Sequence, residues 1–435
     1  MRKSVLFASL GLLALPFTAQ AQTDLQGAIA ADYEANLEPL FLHFHQNPEL
    51  SFREFETASR LANELRGLGL EVTEEVGQTG IVGVLKNGEG PTLLIRADMD
   101  GLPVKEDTGL EYASTATQID LDGVEKPVMH ACGHDTHVTA LIGAARQLIR
   151  LKDEWSGTLV FIGQPAEERI SGARAMIEDG LYERFPKPDY ALAFHAAAQI
   201  EEGKLSLSPG AVYSGSDSVD IIVHGVGAHG AAPHRGIDPV LIASQIVVSL
   251  QSIITRNLEP HQPAVITVGS IHGGFKHNII PDRVELQLTV RSESPETREI
   301  LMERIREVAE GTALALDVPE DKLPEVSLHN GESTPPTIND AETTERVISA
   351  FNEAFGDDIF WQSDREGMGA EDFAEFVAPE HGVKGVYFAV GGTPEDELAD
   401  AASHHSPFFK VKPEPVITTG VEAMTIAVLE LAGKD

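Results

Sequence analysis

Strand patterns alternate with helix patterns along most of this chain, and that alternation constrains the fold more than any other feature. Apolar runs at 92–97 and 158–162 predict buried strands, and helical spacing of apolar residues at 136–151 predicts a helix between them. The same patterns predict further helices at 54–69, 341–355 and 414–431, and further strands at 81–85, 190–194 and 385–390. This alternation is typical of an α/β protein.

The pattern changes in the middle of the chain. Strand, helix, strand, strand, helix and strand patterns follow one another there, at 217–223, 236–256, 263–270, 284–291, 295–316 and 325–328. This βαββαβ order is typical of a ferredoxin-like unit. We therefore predict a large mixed-sheet domain formed by residues 22–209 and 329–435, with a ferredoxin-like domain inserted at 210–328. One long mixed sheet is the alternative.

The N-terminus has the pattern of a secretory signal peptide. A basic Met1-Arg2-Lys3 precedes an apolar run at 5–17, and Ala19-Gln20-Ala21 forms a small-residue cleavage site. The run is shorter than the roughly 20 residues that a membrane-spanning helix needs. We expect cleavage after Ala21 and a periplasmic or secreted protein, with an uncleaved anchor as the alternative. No later segment looks apolar enough to span a membrane.

Charge and cysteine content narrow the function further. Asp and Glu total 68 against 32 Lys and Arg, a net charge of −36, and such a surface repels nucleic acid and anionic lipid. The one cysteine, Cys132, excludes an intramolecular disulfide, and it lies among histidines. We therefore favour a metal ligand over an inert buried thiol.

Potential metal ligands occur in five separate clusters, several of them directly after a predicted strand. The clusters are Asp98-Met99-Asp100, His130-Ala131-Cys132-Gly133-His134-Asp135, Glu167-Glu168, His195 and His404-His405. In open α/β sheets, sites form at the carboxyl ends of strands. Two divalent ions together with one spare carboxylate would use all of these groups. His130 and His137 are weaker candidates and are more typical of supporting or structural histidines.

The adjacent glutamates divide naturally between two tasks. On a turn they point in different directions, so one can bind a metal ion while the other faces a water molecule. The ions lower the pKa of that water, and the free carboxylate takes its proton and delivers it to the leaving amine. A solvated acidic pair is the alternative in so acidic a chain.

Seven motifs occur in order along the chain, at 96–103, 129–135, 164–168, 227–234, 278–282, 369–373 and 405–409. Together they resemble the aminoacylase-type peptidase family M20, in particular its hippurate hydrolase branch. That branch includes auxin-conjugate amidohydrolases and N-acetyl-diaminopimelate deacetylases. The resemblance covers essentially the whole mature chain.

The resemblance implies a role for each matching residue and a zinc-peptidase-like catalytic domain. Two divalent ions (Mn²⁺, Zn²⁺ or Co²⁺) would be bound by Cys132, His134, Glu168, His195 and His405, with the thiolate replacing a bridging carboxylate. Glu167 would be the general base and acid, and Asp100 would orient a ligand histidine. The inserted domain would form a homodimer in which His229 stabilises the oxyanion in the partner's site, while Asn278 and Arg291 hold the substrate carboxylate.

The sequence thus predicts an exported, dinuclear-metal amidohydrolase of N-acyl amino acids. A dipeptidase or carboxypeptidase of the same family is the alternative. The non-enzymatic alternative is a periplasmic binding protein for a metal or an amino acid. The chain departs from the family at Arg169-Ile170-Ser171, where Gly is usual, at Ala196-Ala197-Ala198, where a Pro is common, and at Gly101 in place of Ala. These departures leave the substrate open.

Overall fold

The computed structural model describes residues 19–361 and 367–434. Its strands are β1 (Glu71–Val76), β2 (Gly80–Asn87), β3 (Thr92–Asp98), β4 (Thr117–Ile119), β5 (Glu125–Pro127), β6 (Gly157–Gln164), β7 (Tyr190–Glu201), β8 (Leu205–Ser206), β9 (Gly210–Tyr213), β10 (Gly215–His224), β11 (Ala228–His229), β12 (Ala264–Gly273), β13 (Ile279–Ile280), β14 (Arg283–Ser292), β15 (Glu325–Thr334), β16 (Thr337–Asn339) and β17 (Lys384–Thr393).

Its helices are α1 (Ala19–Asp32), α2 (Glu38–Gln46), α3 (Phe55–Gly67), α4 (His134–Arg150), α5 (Gly172–Glu178), α6 (Leu181–Arg184), α7 (Pro239–Arg256), α8 (Pro295–Ala315), α9 (Ala341–Phe355) and α10 (Pro413–Ala432). A π-helical turn at Tyr33–Leu37 joins α1 to α2. The signal peptide predicted at 1–21 lies outside the described residues, apart from its last three.

A seven-stranded mixed sheet organises the larger part of the molecule, in the order β1-β2-β6-β3-β7-β17-β8. Strand β3 runs parallel to β6 and β7, and β7 runs parallel to β17, whereas β1, β2 and β8 pair antiparallel. Side chains alternate between the two faces, so Leu93 and Ile95 join one apolar core and Leu94 joins another. The predicted α/β fold with a large mixed sheet is confirmed.

A second sheet has four antiparallel strands in the order β12-β14-β10-β15. Helices α7 and α8 pack on it, and its apolar core is separate from those of the large sheet. For a βαββαβ chain this strand order is the ferredoxin-like one. The sheet spans Gly215–Thr334, and β9 pairs with β16 just outside it. The division at 210–328 remains a prediction.

Strand β7 differs from the sequence expectation. The strand predicted at 190–194 continues to Glu201, because β17 pairs with β7 as far as Thr393, so His195 lies within the strand rather than after it. Strand β3 stops pairing with β7 at Ala193, which leaves His195 beside the end of β3. The site therefore still forms where neighbouring strands end.

We expected no segment after the signal peptide to be apolar enough to span a membrane. Judged by the length and composition of its helices alone, this expectation is wrong. Among the described residues, α7 and α10 both meet those criteria. Helix α10 is a core helix, with 72% of its apolar window buried and with α4 and α9 against it. Helix α7 packs on β12, β14 and α8, with 33% of its window buried. Long apolar helices that pack inside folded domains also meet these criteria of length and composition.

Candidate metal centre

The predicted ligands converge at the carboxyl ends of β3 and β6, beside β7 and the start of α4. Gly133 separates Cys132 from His134 in a left-handed conformation at φ 86°, which glycine adopts at little cost. A Cβ on Gly133 would lie 3.1 Å from that of Ala196, so the glycine also lets α4 begin close to β7. The thiol and the imidazole thereby reach the same space.

Short distances join these ligands to one another. The Sγ atom of Cys132 lies 3.4 Å from Nε2 of His195, and Nε2 of His405 lies 3.2 Å from Oε2 of Glu168. Nε2 of His134 lies 3.9 Å from a carboxylate oxygen of Glu168. Ligand atoms lie within 4.8 Å of one another in each of three overlapping groups, Cys132–His134–His195, Cys132–Glu168–His405 and His134–Glu167–Glu168. The fold thus brings all five predicted ligands together.

Asp100 holds the turn that carries the two glutamates. Its carboxylate accepts hydrogen bonds from the backbone N–H groups of Glu167 and Glu168, both at 3.1 Å, and from the Ser51 hydroxyl at 2.6 Å. One Asp100 oxygen also lies 3.4 Å from Nδ1 of His134. The structure therefore places Asp100 against a predicted ligand histidine and behind the predicted base.

The glutamate turn is conformationally strained. It is a short 3₁₀ turn, Glu167–Arg169, between Ala166 at φ 47° and Ile170 at φ 51°. Left-handed conformations cost a non-glycine residue about 1–3 kcal/mol and cluster at functional sites. Ile170 belongs to the stretch that departs from the family pattern, so the chain keeps the turn even though a β-branched residue occupies this position.

Negative charge is concentrated in the pocket. Burial and the nearby Glu371 and Glu168 carboxylates raise the pKa of Glu167 well above its usual range. Burial, followed by Asp100, raises the pKa of Glu168 to about 8, although His134 opposes this. Burial and Glu168 also raise the pKa of the Cys132 thiol. Each group resists ionisation first because it is buried and then because the other acidic groups are close, and bound cations would favour the ionised forms.

The residues fit divalent cations. Both ring nitrogens of His134 and Oε1 of Glu168 are buried without a hydrogen-bond partner, and buried polar atoms are rarely left so. Burial lowers the pKa of His195 and of His405, so both imidazoles remain neutral and able to donate a lone pair. A set of thiolate, imidazole and carboxylate donors suits Zn²⁺, Mn²⁺ or Co²⁺.

A buried arginine network lies beside the cluster of predicted metal ligands, and no role was predicted for this network from the sequence. The Arg96 guanidinium donates to Asp98 and to Glu371, both at 2.7 Å, and to Gln164 at 2.8 Å. Glu167, Glu371 and Asp372 also bring carboxylate oxygens within 4.8 Å of one another. The matching motifs at 96–103 and 369–373 were the available signal, but neither showed that the two stretches meet.

The two weaker histidine candidates contribute differently. His137 lies near Asp98 and His134, but Nδ1 of His137 is 2.6 Å from Asp98 and its Nε2 accepts from the Ala196 N–H at 2.8 Å. Both of its nitrogens are therefore engaged within the protein. His130 is buried without a hydrogen-bond partner, and burial lowers its pKa to about 4. It belongs to none of the groups described above.

Arg291 lies on β14 of the second sheet, whereas His229 lies on β11 and Asn278 directly precedes β13, the two strands of a separate small sheet. His229 pairs with Ile279 between β11 and β13, and the N–H of Gly230 donates to the Asn278 carbonyl at 2.9 Å. The His229 side chain is exposed, whereas Arg291 is partly buried on β14 and donates to Thr289 at 3.2 Å. Within residues 19–361 and 367–434, no hydrogen bond or ion pair joins these three side chains to the metal cluster.

The sequence matches the model of the family described as Peptidase family M20/M25/M40 over residues 94–430. A hippurate hydrolase of Campylobacter jejuni is 39% identical over 79% of this chain and 86% of its own length. An N-acetyl-L-cysteine deacetylase of Bacillus subtilis is 36% identical over 86% of this chain and 83% of its own length. Thermostable carboxypeptidase 2 of Saccharolobus solfataricus is 35% identical over 90% of this chain and 94% of its own length.

Solved structures resemble the fold along nearly its whole length. A putative aminohydrolase from methicillin-resistant Staphylococcus aureus superposes with a TM-score of 0.83 at 32% identity, covering 94% of this chain and 100% of its own. A dinuclear metal binding peptidase from the M20 family of Bacillus subtilis gives a TM-score of 0.74 at 27% identity, covering 92% and 99%.

Proposed function

This chain belongs to the peptidase family M20/M25/M40, in its hippurate hydrolase branch, and we propose that it is an exported amidohydrolase that uses two divalent ions to cleave N-acyl amino acids. Family membership makes it a metal-dependent hydrolase of amide or peptide bonds, which sets aside a passive binding protein. The observation that carries the proposal is Glu167, a buried carboxylate that faces the cluster while five other side chains supply the ligands.

Cys132, His134, Glu168, His195 and His405 would hold the ions, which supply Lewis-acid chemistry by lowering the pKa of a water and polarising the scissile carbonyl. The Glu167 carboxylate takes the proton of the attacking water and delivers it to the leaving nitrogen. Asp100 accepts a hydrogen bond from the Glu167 N–H and so fixes the backbone of Glu167, which keeps the Glu167 carboxylate in its direction.

His229, Asn278 and Arg291 would complete the proposed site from another subunit. His229 would donate a hydrogen bond to the oxyanion, and Asn278 and Arg291 would bind the substrate carboxylate. The second sheet has β12 as an edge strand, with Ile271 51% exposed on it, and α7 leaves Val248 67% exposed. Unpaired edges and exposed apolar side chains favour a two-fold dimer through this region.

A carboxypeptidase or dipeptidase is the second candidate. The relative named thermostable carboxypeptidase 2 covers 90% of this chain at 35% identity. Both reactions hydrolyse an amide next to an amino acid, and the same residues would serve either one. The two candidates therefore differ only in what occupies the acyl side of the pocket.

Export rests on residues 1–21. N-terminal sequencing of the protein from the cell envelope fraction tests it, and a mature chain that begins at Gln22 is the expected result. A chain that retains Met1 would argue for an anchor instead. No nucleic-acid or membrane partner is proposed, in line with the net charge of −36.

Activity towards a substrate panel tests the function. Protein stripped of metal and reloaded with Mn²⁺, Zn²⁺ or Co²⁺ is incubated with N-acetyl, N-benzoyl and indoleacetyl amino acids and with dipeptides, and free amine is measured. We expect metal-dependent release from at least one N-acyl amino acid, faster than from any dipeptide. Turnover of peptides alone would favour the peptidase, and no turnover with any metal would contradict both candidates.

A further inference from the structure

Three imidazoles contact the backbone of Ala196, the residue that follows the predicted ligand His195. Its carbonyl oxygen lies 2.7 Å from Nδ1 of His195 and 3.0 Å from Nε2 of His404. Its N–H group, which belongs to the peptide group that joins His195 to Ala196, donates to Nε2 of His137 at 2.8 Å. The two peptide groups on either side of the Ala196 Cα atom therefore contact the predicted ligand and two histidines that are not among the five ligands.

These contacts determine where the ring protons lie. A carbonyl oxygen can only accept, so Nδ1 of His195 and Nε2 of His404 must both carry hydrogen. An amide N–H can only donate, so Nε2 of His137 must be bare, and its proton lies on Nδ1, which faces Asp98 at 2.6 Å. His195 is left with a free lone pair on Nε2, the atom that lies 3.4 Å from the Cys132 sulfur.

The contacts continue to the buried arginine. Asp98 accepts from Nδ1 of His137 and also from the Arg96 guanidinium at 2.7 Å. Arg96, Asp98 and His137 are all buried, so each has little freedom to rearrange. A connected series of hydrogen bonds thus runs from Arg96 to the backbone on which His195 is mounted.

We propose that His137 and His404 are positioning residues that act through the backbone of Ala196 to present Nε2 of His195 to the metal site. The proposal rests on the proposed role of His195 as a ligand. His137 accepts from the N–H of the peptide group that joins His195 to Ala196, so it fixes the backbone that carries the His195 ring. His404 donates to the Ala196 carbonyl, and that carbonyl holds His195 in the tautomer that binds a cation through Nε2. Such supporting contacts commonly change metal affinity 10–100-fold.

Packing alone is the competing explanation. The His137 ring lies 5.1 Å from that of Phe194, and the His404 ring lies 4.8 Å from that of Phe409. Phenylalanine would keep this aromatic packing but could make none of the hydrogen bonds. Glutamine at position 137 could still accept from the peptide N–H and donate to Asp98. The Phe and Gln variants therefore separate space filling from positioning.

The test measures metal affinity by chelator competition, and the visible spectrum of the Co²⁺-loaded protein. It compares wild type with His137→Phe, His137→Gln and His404→Phe. The control is His381→Gln, which changes a half-buried histidine of the turn at Pro379–His381 that belongs to none of the groups of predicted ligands. We expect His137→Phe to weaken the binding of one ion about 10–100-fold and to change the cobalt spectrum. His137→Gln should recover much of the loss. His404→Phe should have a smaller effect, since the carbonyl keeps its bond to His195. Wild-type affinity and spectrum in His137→Phe would overturn the proposal.

A measurement on the unaltered protein covers the case in which His137→Phe fails to fold. Zn²⁺-loaded protein labelled with ¹⁵N-histidine, assigned with the His195→Gln variant, should show His195 protonated at Nδ1 and bound to metal through Nε2. Binding through Nδ1 would overturn the proposal. If His195→Gln binds both ions as tightly as wild type, then the ligand assignment itself is wrong, which distinguishes the two failures.

Discussion

The cluster of predicted metal ligands and the β11–β13 region contain residues that we assign to the same reaction, yet the two groups of residues differ in burial and in the range of their contacts. Residues of the cluster come from segments as far apart as Asp98 and His405, and most are buried and lie close to several others. His229 and Asn278 are exposed, and their nearest described contacts are local: the N–H of Ala231 donates to the His229 ring, and Gly230 donates to the Asn278 carbonyl.

This difference distinguishes a site that one chain can assemble by itself from residues that need a second molecule to become functional. The cluster is positioned by the large sheet, and its unsatisfied buried atoms need only a cation. Exposed side chains such as His229 become catalytic only when something brings a substrate to them. If the account is right, substitutions in the cluster change metal content, whereas substitutions near β11 change turnover alone.

The largest expected effect separates the two glutamates. Glu167→Gln should keep both metal ions and lose roughly 10²–10⁴-fold in kcat, because it removes the proton carrier but no ligand. Glu168→Gln should lose metal as well as activity. Metal analysis and steady-state kinetics on the same preparations check both. Near wild-type turnover in Glu167→Gln would show that the base is assigned wrongly.

His229→Ala should lower kcat by about 10²–10³-fold, the typical cost of losing one oxyanion donor, and leave metal content unchanged. His277→Ala is the matched control, an exposed histidine next to Asn278 with no proposed role, and it should turn over normally. A loss of metal in His229→Ala would mean that the second region is not independent of the cluster.

Mixing His229→Ala with Glu167→Gln sharpens the contrast between the two regions. If His229 acts in the partner's site, exchanged heterodimers contain one site in which both residues are native, and part of the activity returns. Subunit exchange is verified by mass spectrometry of differently labelled chains. A mixture that exchanges and still stays as inactive as its parents would show that His229 does not act across an interface.

A smaller effect is expected on stability around His45, which lies behind the cluster. Burial lowers the pKa of His45, but hydrogen bonds that its ring donates to the Asp135 carboxylate at 2.7 Å and the Glu106 carboxylate at 3.3 Å outweigh burial and raise the pKa to about 9. The protonated form therefore stabilises the fold fully below the unfolded pKa of about 6.5, and this stability is lost as the pH rises through about 9.

Denaturant unfolding of metal-loaded wild type and His45→Gln at several pH values checks this. The difference in free energy of unfolding should fall by about 3 kcal/mol between pH 6.5 and pH 9.5. His43→Gln on the same helix is the control. Burial and Arg60 lower the pKa of His43, so it stays neutral above pH 6.5 and its contribution should not change. A constant difference for His45→Gln would contradict the assigned protonation.

The sequence predicted the α/β fold and the convergence of the ligands because both depend on local patterns. Strands that end in polar clusters bring those clusters to one edge of a sheet, so Asp100 and Glu168 could be expected to meet. The length of β7 could not be predicted, because the pairing that extends it comes from β17, far along the chain.

Long-range polar contacts were equally hidden. Arg96 and Glu371 are 275 residues apart, and each alone is typical of a solvated charge in so acidic a chain. The engagement of both His137 nitrogens depends on the position of the Ala196 N–H, which no spacing reveals. Exposure of His229 is compatible with the sequence prediction, but a contact between two chains cannot be read from one.

The metal content of fully loaded protein tests the central claim most directly. Elemental analysis should find two divalent ions per chain in wild type, and fewer in Cys132→Ser, whose circular dichroism spectrum should remain that of a folded protein. The Cys132 thiolate would contribute to the binding of both ions, so its loss should weaken metal binding rather than unfold the chain. A wild-type ceiling of one ion, or unchanged metal content in Cys132→Ser, would contradict the account.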